Sequence, residues 1–216
     1  MRVLHSSDLH GDYEALLAYK EPFDIWIDSG DFFPNTKKPL GMGTILPTEE
    51  RNFQLEWCGY KDLGPRLTDW LDGRPAIICP GNHDFIPLHG VLAHAKANAH
   101  SITTSGIAVG NKLWAGFREI PYMAGIWEGE VKDFSGLIDS TWYAVPDILV
   151  THAPPKDILS GHWGISKLTS ALQYREHDIK HHFFGHVHEA GGTKTYINKV
   201  WYYNGARHVR AHDLEF

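Results

Sequence analysis

The sequence predicts an α/β fold that gathers the ends of several strands around one crevice, and three observations support this. Short β-branched or aromatic runs recur along the chain, at Val3-Leu4, Phe23 to Ile27, Ala76-Ile77-Ile78, Ile148-Leu149-Val150 and Phe183-Phe184. Each run is followed by a short polar motif: Asp8-Leu9-His10, Gly30-Asp31, Gly81-Asn82-His83-Asp84, Thr151-His152 and Gly185-His186-Val187-His188. Between the runs lie stretches with helical spacing or turn residues. In α/β architectures ligands bind outside the carboxyl ends of the strands, so motifs distant in sequence can meet in space.

The elements follow in order. Asp12 is placed to cap a helix through Glu14, Leu16 and Leu17, beside the first motif. Leu55, Leu63, Leu67 and Leu71 predict helical packing ahead of the strand at Ala76, with Gly59 and Gly64 breaking it into pieces. Leu88 to Ala97 reads as a helix. Ile102, Ile107, Val109, Leu113 and Trp114 then sit between glycine-rich turns, with Gly110-Asn111 as a hairpin. Ile165, Leu168 and Leu172 fall at i, i+3 and i+7 and predict the helix before Gly185, and Thr193 to Tyr203 predicts two strands about Asn198-Lys199.

At 216 residues and 43% hydrophobic, the chain is long enough for one sizeable core, and it shows no internal repeat or disordered tail. Its net charge of −6 argues against a general affinity for DNA or RNA, because phosphate backbones are held chiefly by Lys and Arg. Only Cys58 and Cys79 are present, and Cys79 beside Ile77-Ile78 reads as a buried reduced thiol. No signal peptide is recognised and no apolar stretch approaches the ~18 residues of a membrane span, so a cytoplasmic protein without a membrane partner is expected. The oligomeric state is left open.

Asp, Asn and His without thiolates form a hard-to-borderline donor set, suited to Mn²⁺, Fe or Zn²⁺ in a hydrolytic site rather than to a structural zinc cage. Each motif alone occurs in ordinary turns. All five, in this order and each after a strand, predict a two-metal hydrolase.

The ordered set resembles the calcineurin-like metallophosphoesterases, from Asp8 to His188 and with no motif degenerate. Thr151-His152-Ala153-Pro154-Pro155 and Gly185-His186-Val187-His188-Glu189 point within that superfamily to the class III cyclic-nucleotide phosphodiesterase-like branch. Gly30-Asp31 is followed by Phe32-Phe33-Pro34, where protein Ser/Thr phosphatases carry Val-Asp-Arg-Gly; Pro34 also stands where purple acid phosphatases have a tyrosine ligand. The resemblance implies a four-layer α/β/β/α sandwich of two mixed β-sheets, with residues 1–216 as a single domain.

It also implies a ligand set. One ion would be held by Asp8, His10, Asp31 and His188, and the second by Asp31, Asn82, His152 and His186. Asp31 would then bridge two divalent ions roughly 3.5–4 Å apart, Mn²⁺ foremost with Fe, Zn²⁺, Ni²⁺ or Co²⁺ also suitable. A hydroxide shared by the ions would attack phosphorus in line. His83 is implied as the non-ligand catalyst that assists the leaving oxygen, with Asp84 fixing its tautomer. Asn82 and His83 are also expected to face the substrate.

The substrate class implied is a small phosphodiester, in particular a nucleotide-like one. A phosphomonoesterase or a nuclease on short strands is the alternative within enzymes, and a non-catalytic scaffold is the alternative outside them. Two segments, Pro34 to Glu50 and Arg118 to Glu130 with Tyr122, Met123 and Trp127, are candidates for the rim of the site. Arg118 reads as a surface charge or a phosphate contact. Of the other histidines among the fifteen, His5, His181 and His182 read as strand residues, and His89, His162 and His208 as loop residues near the site.

Overall fold

The computed structural model describes residues 1–36, 47–123 and 127–216. In chain order the first half forms β1 (Arg2–Ser7), α1 (Glu14–Leu17), β2 (Ile25–Asp28), α2 (Pro47–Lys61), α3 (Leu63–Leu71), β3 (Ala76–Ile78), α4 (Leu88–His94), β4 (Ala99–Ser101), β5 (Ile107–Val109) and β6 (Lys112–Phe117). The second half forms β7 (Ile120–Pro121), β8 (Glu130–Val131), α5 (Ser135–Tyr143), β9 (Ile148–Thr151), α6 (Ser166–Tyr174), β10 (His181–Phe184), β11 (Thr193–Ile197), β12 (Val200–Asn204) and β13 (His208–Asp213). One sheet has the order β13-β1-β2-β3-β4 and the other β11-β12-β10-β9-β6-β5, while β7 and β8 pair separately.

Both large sheets are mixed. In the first, β1 to β4 run parallel and β13 lies antiparallel to β1; in the second, β12, β10, β9 and β6 run parallel between antiparallel edges β11 and β5. Strand alternation sorts the side chains into layers. Val3, Ile25, Ile27 and Ile77 of one sheet meet Trp114, Ile148, Val150 and Phe183 of the other. Leu4, Trp26, Ala76 and Ile78 face outward onto Leu16, Leu63, Leu67, Leu71, Leu88 and Leu92. On the far side Leu149, Phe184 and Tyr202 pack under Ile138, Leu168, Ala171 and Leu172. The result is the four-layer α/β/β/α sandwich, and the five motif-bearing strands β1, β2, β3, β9 and β10 all end at the same side of it. Among the described residues no helix is long and apolar enough to cross a membrane.

The hairpins about Gly110-Asn111 and Asn198-Lys199 form as expected, the latter with both turn residues at positive φ, 50° and 68°. Four expectations are corrected. The α1 N-cap is Tyr13 rather than Asp12, and the Asp12 N–H donates to Leu9 O at 2.8 Å, because the preceding loop is tied to its neighbour and enters the helix one residue late. Gly59 and Gly64 do not break the helices, which part at Asp62 in the left-handed conformation (φ 49°). Gly64 sits inside α3 because a β carbon there would crowd Ala95 Cβ at 3.1 Å and Val91 O at 3.2 Å where α4 crosses. Leu55 faces outward and is 50% exposed. The predicted helix from Leu88 stops at His94 rather than Ala97, with Lys96 at φ 65°.

Candidate metal centre

The loop after β1 is laced to the loop after β2 by three backbone hydrogen bonds, in which the N–H groups of Asp8, His10 and Gly11 donate to the carbonyls of Gly30, Asp31 and Phe32 at 2.7, 2.9 and 2.8 Å. Asp8, His10, Asp31 and His186 have φ of 54°, 45°, 56° and 67°. Such values are uncommon for side-chain-bearing residues, and a group of them marks a site where surrounding structure holds the backbone in a less favoured state. Gly185 lets this happen, since a β carbon there would collide with Ser7 Oγ and Asp8 Oδ2.

Seven polar side chains converge on these loops. Asp8, His10 and His188 bring ligand atoms within 4.8 Å of one another, and Asp31, His152 and His186 do the same. Asp31 joins the two groups: its Oδ2 lies 3.4 Å from His152 Nε2, 3.9 Å from His83 Nε2 and 4.0 Å from His10 Nε2. Asn82 Oδ1 and His186 Nδ1 stand 3.0 and 3.3 Å from His152 Nε2. His188 Nε2 is 3.0 Å from Asp8 Oδ1, and Asp8 Oδ2 accepts from Ser7 Oγ at 2.6 Å and from the His186 N–H at 2.8 Å. His152 Nδ1 donates to Ser29 O at 2.8 Å, which fixes its tautomer and turns Nε2 into the cluster.

The electrostatics match the geometry. Burial alone would push the Asp31 carboxyl up, but His152, His83 and His10 outweigh it and hold Asp31 well below the usual carboxylate range. Burial pulls His152 down while Asp31 more than offsets it, lifting the imidazole to about 9. His186 falls to about 4, through burial first and then through His152. An ionised buried carboxylate ringed by imidazole nitrogens is an environment for divalent cations, and the oxygen and nitrogen donors without thiolate fit them chemically.

His83 stands at the edge of the cluster. The structure does not pair it with Asp84, as the sequence led us to expect. The Asp84 carboxylate is buried under its own loop, where it accepts from the N–H groups of Gly81, Asp31 and Phe33 at 2.7, 2.8 and 3.1 Å. Burial, and then Asp31, push its carboxyl up to about 6, against the pull of those N–H groups. The side chain beside His83 Nδ1 is Asn35, whose Oδ1 lies 2.8 Å away, and the His83 ring packs against Trp127 with centroids 4.1 Å apart. Gln54 of α2 supports the loop from below, donating to His83 O at 2.7 Å and accepting from the Phe85 N–H at 3.0 Å.

Sequence reasoning missed Asn35, Gln54, Ser7 and Ser29. Ser7 and Ser29 had a usable signal, each being adjacent to a motif; Asn35 and Gln54 had none. Arg118 is not a free surface charge: its Nη2 donates to Gly81 O at 2.8 Å and Asp84 O at 3.3 Å and so braces the same loop. His89 lies in α4 rather than a loop, His162 is fully exposed beside Asp157, and His208 begins β13; none enters the cluster. Of the two rim segments, residues 37–46 and 124–126 lie outside the described residues, while Tyr122 and Met123 are exposed.

No curated protein matches the chain. Among solved structures, the sulfate thiohydrolase SoxB of Thermus thermophilus, in complex with glycerol, is similar with a TM-score of 0.39 and 12% identity, over 92% of this chain and 36% of that one. This chain therefore spans just over a third of that protein's length. A family model described as calcineurin-like phosphoesterase matches residues 1–190, which takes in every loop of the cluster. The chain belongs to the calcineurin-like phosphoesterase family.

Proposed function

We propose that this protein is a dinuclear-metal phosphodiesterase acting on a small, nucleotide-like substrate. The observation that carries the reading is the position of Asp31, a single ionised carboxylate shared by two groups of donor atoms. One ion would be held by Asp8, His10, Asp31 and His188, the other by Asp31, Asn82, His152 and His186, with Mn²⁺ the expected metal. When bound, such a pair lowers the pKa of a shared water and stabilises the charge that builds on the phosphoryl oxygens during in-line displacement.

The protein's own residues do the remaining work. Ser29 O keeps the His152 proton on Nδ1 and so leaves Nε2 as a donor; Asn82 contributes a neutral oxygen, which keeps the ligand charge low. His83 donates from Nδ1 to Asn35 Oδ1, which leaves Nε2 facing the centre. Burial lowers the pKa of His83; in its protonated form the ring presents Nε2–H, the group placed to give a proton to a departing alkoxide. Trp127 limits rotation of that ring and bounds the space before it with an aromatic surface suited to a nucleobase.

A diester fits better than a monoester because Arg118 is committed to the carbonyls of Gly81 and Asp84. That leaves His83 and the bound cations to meet the reacting phosphorus, which suits the single charge of a diester. We read residues 1–216 as one catalytic domain, since β12 and β13, beyond residue 190, pair with β10 and β1 to complete both sheets. The test is a panel of bis-p-nitrophenyl phosphate, p-nitrophenyl phosphate, cyclic nucleotides and short oligonucleotides with Mn²⁺ and with chelator. Diester hydrolysis that chelation abolishes and Mn²⁺ restores is expected. Faster turnover of the monoester would make the protein a phosphatase, and inactivity on the whole panel with metal bound would make it a scaffold.

A further inference from the structure

Arg207 sits in the short connection between β12 and β13, and that connection is built onto two of the motif loops. The Arg207 N–H donates to Ser7 O at 2.9 Å, beside Asp8. On the other side Asn204 Nδ2 donates to Val187 O at 2.9 Å, beside His188, while Asn204 Oδ1 accepts from the Ala206 N–H at 3.0 Å and shapes the turn. Arg207 itself is held at φ 59°, a conformation an arginine adopts only when its surroundings impose it. Its side chain lines a cavity of about 270 Å³ together with Asp8, Leu9, His10, Asp12, Ala15 and Val209.

Among the described residues the guanidinium has no hydrogen-bond or ion-pair partner. Arg66, Arg118 and Arg175 each face a carboxylate within 4.0 Å, whereas Arg207 faces none among the described residues. A planar fork of N–H donors, anchored by strained backbone at a cavity that opens beside Asp8 and His10, is suited to an oxyanion. The cavity lies on the His10 side of the cluster, away from the Arg118 brace.

Resting on the phosphodiesterase reading, we infer that Arg207 receives a second oxyanion of the substrate, distinct from the phosphate being cleaved. The preferred substrates are then phosphate esters bearing a further phosphate or a group of like charge. An exposed, charge-assisted contact of this kind is worth about tenfold in affinity, and salt weakens it.

Two esters with the same scissile bond and leaving group isolate the effect: thymidine 5′-(p-nitrophenyl phosphate) and its 3′-phosphorylated counterpart, with the Mn²⁺-loaded protein. The wild type is expected to favour the 3′-phosphorylated ester by about tenfold in kcat/KM, through KM. Arg207→Gln should bring that ratio close to one, Arg207→Lys should keep part of it, and Arg175→Gln, on a remote surface pair, should keep all of it. An unchanged ratio in Arg207→Gln overturns the inference. So does an equal loss on both esters, which would place Arg207 on the reacting phosphate. Calorimetry of thymidine 3′,5′-bisphosphate against thymidine 5′-monophosphate gives a second readout, with the bisphosphate about tenfold tighter only where Arg207 is intact. If neither ester is turned over, the phosphodiesterase reading fails while the binding comparison still decides the role of Arg207.

Discussion

His182 allows a quantitative test of how β10 is held beside β9 within the six-stranded sheet. It is fully buried in β10, and Thr151 Oγ1 already donates to Ala153 O at 2.7 Å, so the hydroxyl oxygen must accept from His182 Nε2, 2.9 Å away. The proton is therefore on Nε2, and His182 Nδ1 is buried with no partner among the described residues. Charging the ring would place an N–H there with nothing to receive it, and burial pulls the imidazole down to about 3. Its stabilising contribution is complete above the unfolded-state pKa near 6.5 and declines as the pH falls from there toward the folded value, because only the unfolded chain binds the proton in that window. At pH 5.5 the loss from this one residue is about 1.4 kcal/mol, against less than about 0.1 at pH 7.5. Urea unfolding of wild type and His182→Gln, both in chelator, should show the wild type losing about 1.4 kcal/mol more than the variant between the two pH values, a midpoint difference near 0.7 M for a slope of about 2 kcal/mol/M. Parallel pH dependence of the two proteins would refute the assignment of a buried, neutral His182.

Further expectations concern the centre. Asp31→Asn should lower activity by orders of magnitude and reduce occupancy of both ions, whereas Asp8→Asn mainly weakens one; metal analysis of the purified variants distinguishes them. His83→Ala should keep its metals and lose ~10²–10⁴-fold on an alkyl or nucleoside phosphodiester in single-turnover rates, with a smaller loss on bis-p-nitrophenyl phosphate, whose leaving group needs little help. Asn35→Leu should follow the same pattern at about 10–100-fold, and equal losses on both substrates would remove it as the partner of His83. Gly185→Ala drives a methyl group into Ser7 and Asp8 and should cost about 1–3 kcal/mol or more, read as a fall in Tm, while Gly136→Ala in α5, with open space around it, should be neutral or stabilising.

The parts of the molecule legible in the sequence are those fixed by residue type and local spacing. The motif-bearing strands could be read because each is a compact apolar run, buried on both faces and stopped by a polar loop. β13 could not, because His208 to Asp213 lies at a sheet edge, is only partly buried and owes its extended shape to pairing with β1. The seven converging side chains were visible as motifs because their chemistry depends on their identity. The orienting shell was not. Asp84 adjoins His83 in sequence, yet the tight loop turns its carboxylate toward three backbone N–H groups, and Asn35 reaches the imidazole from a segment whose composition suggested only a rim. Gly64 was misread for a similar reason: its role is set by the approach of α4, which no helical spacing reveals.

The central claim is that two cations share Asp31, and anomalous scattering from crystals of the Mn²⁺-loaded protein tests it most directly. The account predicts two peaks, one among Asp8, His10 and His188 and one among Asn82, His152 and His186, both in contact with the Asp31 carboxylate. A single peak, or two peaks that do not share Asp31, would contradict it.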